Sequence, residues 1–285
     1  MKTRLLTALV ALPILILSIV LPYLLPNYAA ADWLFLAIAA FGLGAALFEF
    51  FTLTKKLELK ADAAIAYMGA AAFFVAFLFD APAKAPDLLM LTLALFLILV
   101  LVSQTFRFQI DFSKMLTGIG VTVLGVLYIA FLGGFLVSTR VGIDDTLAQH
   151  LSTKLLAFFF LVAFGADAGA YFAGKYLGKH KLIPKVSPNK TWEGAVGGLV
   201  LSSALAALAT FCFFPELPYK ASIPLAIAIM VIGVLGDLAE SAMKRGAGVK
   251  DAASFLPGHG GLLDRLDSLL FGAPVLYYFA RFYFY

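Results

Sequence analysis

Runs of apolar residues, each about the length a helix needs to cross a bilayer, recur from one end of this chain to the other. They predict helices near residues 5–25, 32–52, 62–79, 88–106, 115–138, 153–174, 191–214, 222–243 and 265–284, hence an all-α polytopic integral membrane protein of about nine transmembrane helices. Composition agrees: 62% apolar and 13% charged residues, with a mean hydropathy of +0.98, lie far outside the ordinary soluble range. Lys2 and Arg4 before the run Leu5 to Leu25, with small residues at Ala29 to Ala31, imitate a secretory signal. The run exceeds the roughly 7–15 residues of a signal core, so an uncleaved first helix is expected. A single cysteine, Cys212, inside an apolar run, excludes a disulfide framework and a cysteine zinc cluster and is expected to serve packing.

Cations set the orientation. With the amino terminus in the cytoplasm, the inward segments hold Lys2, Arg4, Lys55, Lys56, Lys60, Arg107, Lys114, five lysines from Lys175 to Lys190, Lys244, Arg245, Lys250 and Arg265. The outward segments hold Lys84, Arg140, Lys154, Lys220 and Arg281, a bias of sixteen to five in the positive-inside sense. Every unusual polar loop then faces the cytoplasm. The basic pI of about 9.0 is explained by these short loops, so nucleic-acid binding is not expected.

Polar character shifts along the chain. Residues 1–150 read as bland packing, dimer-forming or lipid-facing helices in which Glu49 is the notable acid, whereas 151–285 carry Asp167, a basic loop at 175–190, Asp237, Glu240 and a second polar loop at 244–264. The second region is therefore the expected catalytic part. No internal repeat is evident, which weakens a transporter built on inverted repeats.

In VIGVLGDLAESAMKR, Val231 to Arg245, helical spacing puts Asp237, Glu240, Ser241 and Lys244 on one face. Two acids so close in a membrane segment repel unless a cation or proton lies between them. An ion pair of Glu240 with Lys244 is the simplest alternative, and it leaves Asp237 unexplained. Asp264 and Asp267 stand three apart at the start of the last helix and point the same way, with Arg265 on another face. Carboxylates are the ligands of hard divalent cations, and Asp237 can complete such a site. Helix capping by the two acids is the competing reading. Between these segments Lys244, Arg245 and Lys250 supply positive charge, and Pro257, Gly258, Gly260 and Gly261 leave backbone amides open to an anion. His259 suits a phosphate hydrogen-bond donor or a loop organiser better than a general base.

The set Ser241, Lys244, Arg245, Lys250, Asp251, Pro257, His259, Gly260, Gly261, Asp264, Arg265 and Asp267 resembles the signature of the phosphatidate cytidylyltransferase family, the CDP-diacylglycerol synthases, and matches every position of it. The resemblance extends to Gly165–Gly194 and Gly236–Ser241, and over the first 150 residues it holds only in general pattern. It implies attack of the phosphate of phosphatidic acid on the α-phosphorus of CTP, with release of pyrophosphate and CDP-diacylglycerol left in the bilayer. It further implies metal binding by Asp237, Asp264 and Asp267, with Asp167 as a further member of the same polar interior, Mg2+ as cofactor with a second, monovalent cation such as K+, and a homodimer in the inner (cytoplasmic) membrane. Lys244, Arg245, Lys250 and His259 join the three aspartates as expected catalytic groups, with Ser241, Gly260, Gly261 and Arg265 on the substrates.

The basic loop can be a topology signal alone. Against this, Lys185, Ser187, Lys190 and Thr191 directly precede a helix, where amides and the dipole favour an anion, and they are assigned to CTP phosphates or the phosphatidate headgroup. Gly174 to His180 lacks the glycine spacing of a P-loop. Asp167, among Gly165, Ala166, Ala168 and Gly169 where helices can approach closely, is either part of the polar interior or a buried partner for Lys175 or another lysine. An ion-coupled transporter would also bury Asp167, Asp237 and Asp267, and it predicts flux without CTP.

Overall fold

The computed structural model describes residues 2–25, 29–107, 114–143, 148–249 and 260–285. The apolar runs become α1 (Lys2–Leu24), α2 (Trp33–Lys56), α3 (Ala63–Leu78), α5 (Pro86–Arg107), α6 (Met115–Gly125) continuing into α7 (Leu132–Gly142), α8 (Leu151–Leu177), α9 (Trp192–Cys212), α10 (Tyr219–Gly246) and α11 (Leu263–Phe284). A short α4 (Ala81–Lys84) precedes α5. Several helices run past their apolar stretch at the cationic end: α2 includes Lys55 and Lys56, α8 includes Lys175, and α10 includes Lys244 and Arg245. Lysine and arginine in a last turn interact favourably with the helix dipole, which carries each helix a few residues beyond the hydrocarbon-like run.

Among the described residues, six helical segments are long and apolar enough to cross a membrane: Ala30–Lys56, Pro86–Phe106, Met115–Gly142, Leu151–Leu177, Trp192–Cys212 and Tyr219–Gly246. Leu9–Leu24 and Ala63–Leu78 are apolar but shorter. Two features depart from the expected succession of helices and loops. Residues 175–190 are no open loop, because β1 (Lys181–Ile183) and β2 (Ser187–Thr191) pair antiparallel, Lys181 with Thr191 and Ile183 with Ser187. Between α6 and α7 the chain passes through a π-helical stretch, Val126–Phe131. Cys212 also differs from expectation, since it lies exposed at the end of α9 and packs in no core.

Buried apolar side chains form two clusters. One unites α8, α9 and α10 through Leu155, Phe159, Ala206 and Ile229, and the other unites α2, α3, α5, α6 and α7 through Leu47, Phe73, Phe96, Val121 and Phe135. The last helix belongs to both: Leu269 and Leu276 enter the first cluster, and Leu263, Leu270 and Tyr277 enter the second. Its amino-terminal acids are thereby fixed at the seam between the two halves. Helices α8 and α9 approach closely where expected, because a Cβ on Gly169 would lie 2.5 Å from the Gly197 carbonyl oxygen.

Ion pairs close the end of the bundle opposite the basic hairpin. Arg140 pairs with Asp32 at 2.6 Å, Lys154 with Glu216 at 2.6 Å, and Arg281 with Asp80, which also accepts from the Tyr277 hydroxyl. Partial burial pushes the Glu216 carboxyl up, but the Lys154 hydrogen bond, a backbone hydrogen bond and the Lys154 charge together outweigh it and leave the group below its ordinary value. Lys84 stands 3.9 Å from Asp80, so four of the five cations read as outward-facing have acid partners.

Candidate active site

The acids and cations of the carboxyl-terminal half meet where the end of α10, the start of α11, the hairpin and α8 converge. The helical face read in α10 exists: the Ser241 hydroxyl donates to Asp237 Oδ1 at 3.3 Å, and Lys244 Nζ lies 2.5 Å from Glu240 Oε2. Lys244 does more than pair within its helix, since Nζ also reaches Asp264 Oδ1 at 2.6 Å. Asp264 uses its other oxygen to accept from Gly261 N at 2.9 Å. The Glu240–Lys244 ion pair, the alternative reading of this face, is present and is one half of a bridge between two helices.

Asp237 and Asp267 come together because α10 and α11 touch through backbone. A Cβ on Gly236 would sit 2.6 Å from the Asp267 carbonyl oxygen, so only glycine permits that approach. Asp267 is buried, with Oδ1 accepting from Ser268 N at 2.6 Å, and it interacts electrostatically with Asp237 and Asp167. Arg265, between the two acids, faces outward as its spacing predicts, and its charge reaches Asp167. Asp167 is exposed at its place on α8 and interacts electrostatically with Asp237, Lys190 and Arg265, whereas Lys175 lies over the rings of Tyr171 and Tyr176.

The hairpin delivers a third cation. Lys190 Nζ stands 2.6 Å from Asp237 Oδ2. Thr191 accepts from Gly194 N at 3.0 Å and caps α9, while Glu193 accepts from Lys179 N and His180 N and meets His180 Nδ1 at 2.6 Å. Arg245 Nε donates to the Val186 carbonyl at 3.2 Å, tying the hairpin turn to the end of α10. Lys185 is exposed at that turn and Ser187 is half-buried at the start of β2. Gly260 holds a left-handed φ of 83°, which favours glycine. Lys250 and His259, with Asp251, Pro257 and Gly258, lie outside the described residues.

The profile of the cytidylyltransferase family matches residues 2–283. The chain belongs to that family. It is 35% identical to the phosphatidate cytidylyltransferase of Bacillus subtilis over 286 residues, which cover 98% of this chain and 97% of that protein. It is 46% identical over 137 residues to the phosphatidate cytidylyltransferase of Haemophilus influenzae, 46% of each chain. The corresponding protein of Staphylococcus haemolyticus is 47% identical over 117 residues, 41% of this chain and 45% of its own.

One residue that packs against this cluster comes from the half read as bland. Glu49 of α2, fully buried, accepts from Leu263 N at 2.7 Å and so satisfies a first-turn donor of α11 from 214 residues away. The capping role considered for Asp264 and Asp267 is therefore performed by a different helix. Glu49→Ala should leave that buried donor unpaired and lower stability by about 1–3 kcal/mol, while Glu49→Gln, which keeps an acceptor, restores most of it. Melting temperatures of the two variants in detergent, compared with wild type, check this; equal losses in both would mean that the charge of Glu49, and not its acceptor, supports the helix.

The donor set suits a hard divalent cation, since every candidate ligand is a carboxylate oxygen. Among the described residues no three acid, histidine or cysteine side chains stand close enough to enclose an ion by themselves. Magnesium is commonly held by one or two carboxylates and completed by water and substrate phosphates. These carboxylates are already engaged, Asp237 by the Ser241 hydroxyl and Lys190, Asp264 by Lys244 and Gly261 N, and Asp267 Oδ1 by Ser268 N, so a cation bound here would displace Lys190 or Lys244 from its acid.

Proposed function

We propose that this chain transfers the cytidylyl group of CTP to phosphatidic acid, giving CDP-diacylglycerol and pyrophosphate for phospholipid synthesis. The observation that carries the reading is the convergence of Lys190, Asp237, Lys244, Asp264 and Asp267 in one cluster. Family membership sets the ion-coupled transporter aside.

An oxygen of the phosphatidate phosphate attacks the α-phosphorus of CTP; a new P–O bond forms as the bond to the β-phosphate oxygen breaks, and pyrophosphate leaves with the electron pair. Both reactants are polyanions, so bringing them together depends on positioning and on positive charge. Lys190 and Lys244 already stand against carboxylates, so an arriving phosphate exchanges one anionic partner for another at cations that are already oriented. Asp237 and Asp267, with Asp167 and with Asp264 once Lys244 turns to substrate, would hold the Mg2+, which supplies positive charge against the phosphate oxygens. A monovalent ion such as K+ is the second cation of this proposal. Lys185, Ser187, Lys190 and Thr191 are assigned to the phosphates of CTP or of phosphatidate, and the same role is proposed for Arg245, Lys250, His259, Ser241, Gly260, Gly261 and Arg265.

Nine crossings with the amino terminus and the site in the cytoplasm complete the reading, along with a homodimer in the cell membrane. The sixteen-to-five cation bias supports this orientation. Purified protein mixed with phosphatidic acid, Mg2+ and labelled CTP should move label into the lipid phase and release equimolar pyrophosphate. Absence of lipid label across lipid and metal conditions would overturn the assignment.

A further inference from the structure

The π-helical stretch Val126–Phe131 carries a polar group that the reaction outlined above does not use. Leu132 N bonds to Leu127 O, five residues back, and such π turns inside α-helices are rare and concentrate at functional sites. On this turn Tyr128 is 6% exposed, and its hydroxyl is buried without a hydrogen-bond partner among the described residues. Its ring is held edge-on by Phe50 of α2 and Phe271 of α11, with centroids 6.4 and 6.0 Å away. Its hydroxyl end interacts electrostatically with Asp267, Glu240, Asp237 and Asp264. A buried hydroxyl without an acceptor costs stability, and an acceptor brought by a ligand restores it.

We propose that Tyr128 is a further substrate-binding residue of this site, its hydroxyl donating a hydrogen bond to a phosphate oxygen of the bound substrate. The assignment rests on the cytidylyl-transfer reading, which brings two phosphate-bearing molecules to these acids and lysines. The phosphate belongs to phosphatidic acid or to CTP, and the two sources give different kinetics. The apolar walls supplied by Phe50 and Phe271 keep water from competing for the hydroxyl, which strengthens a bond to a charged acceptor.

Tyr128→Phe removes one oxygen and keeps the ring between Phe50 and Phe271. In detergent micelles with Mg2+, kcat/KM for one substrate should fall about ten- to a hundredfold, the range for a hydrogen bond to a charged group. A fall specific to dioleoylphosphatidate places the bond on the lipid phosphate, and one specific to CTP places it on the nucleotide. The melting temperature without substrate should not drop, because the hydroxyl removed has no partner. Unchanged kinetic constants, or a lower substrate-free melting temperature with unchanged KM values, would overturn the proposal. Binding is read without turnover by the rise in melting temperature on adding dioleoylphosphatidate alone or CTP alone. A smaller rise in Tyr128→Phe than in wild type supports the contact even if wild type transfers no label, in which case only the reaction assignment fails. Equal rises in the two proteins would sink it.

Discussion

Asp267→Asn should lower kcat on the order of a hundred- to a thousandfold, the loss typical of removing one preorganised electrostatic group from a reaction centre. The substitution is nearly isosteric, and its side-chain carbonyl can still accept from Ser268 N as Oδ1 does at 2.6 Å. Packing around α11 is untouched, so the protein should insert and melt like wild type. What disappears is the negative charge that Asp267 shares with Asp237 and Asp167 at the seam. Asp264→Asn should also lose activity, but with a fall in melting temperature, because its oxygens hold Lys244 and Gly261 N. Label transfer from CTP and thermal melting, run on the same preparations, separate the two. Wild-type Mg2+-dependent turnover in Asp267→Asn would remove that residue from the proposed cation site.

The contrast between these neighbouring acids was only partly visible in the sequence. Three-residue spacing placed both on one side of a helix, and the structure keeps both away from solvent while Arg265 faces outward. Spacing cannot reveal that Lys244, twenty residues earlier, takes one acid and leaves the other for Asp237. Within a single helix the reading was fuller, since Ser241–Asp237 and Lys244–Glu240 are contacts between residues four apart. Helix positions were legible for the same reason: an apolar run of bilayer length is a local property of composition.

What escaped depends on distance or on subtle backbone geometry. Glu49 looked like one acid in a bland region, and its meaning appears only when α11 packs against α2. The π turn at Tyr128 has no distinguishing residue pattern, because its residues are as apolar as the α-helix on either side. The hairpin hid behind its composition: SPNKT and KLI offer little alternation, and their lysines read as a topology signal. Its strands are held by the sharp turn at 184–186 and by Glu193 beneath the backbone of Lys179 and His180. The first 150 residues thus contribute the Glu49 cap on α11 and, under the proposal for Tyr128, a hydroxyl to a cluster otherwise built from the rest of the chain.

Lys244→Ala should produce the largest loss of stability. Its ammonium lies 2.5 Å from Glu240, whose side chain is fully buried, and 2.6 Å from Asp264, whose side chain is 12% exposed. Removing the cation leaves two acid side chains facing each other with no cation between them, and breaking such a pair costs up to about 3–5 kcal/mol, less if the acids share a proton. Two helices then repel at the point where α11 must enter the bundle, so activity should fall along with stability. A compensating change tells charge from packing. Glu240→Gln in the Lys244→Ala background removes one of the stranded charges, and it should recover a substantial part of the melting temperature if repulsion is the cause. Glu240→Gln alone should cost less, because Lys244 keeps Asp264. No recovery in the double variant would show that the lysine stem packs the α10–α11 junction and that its charge is secondary, whereas recovery of stability without turnover would mark Lys244 as a group that the substrates need directly.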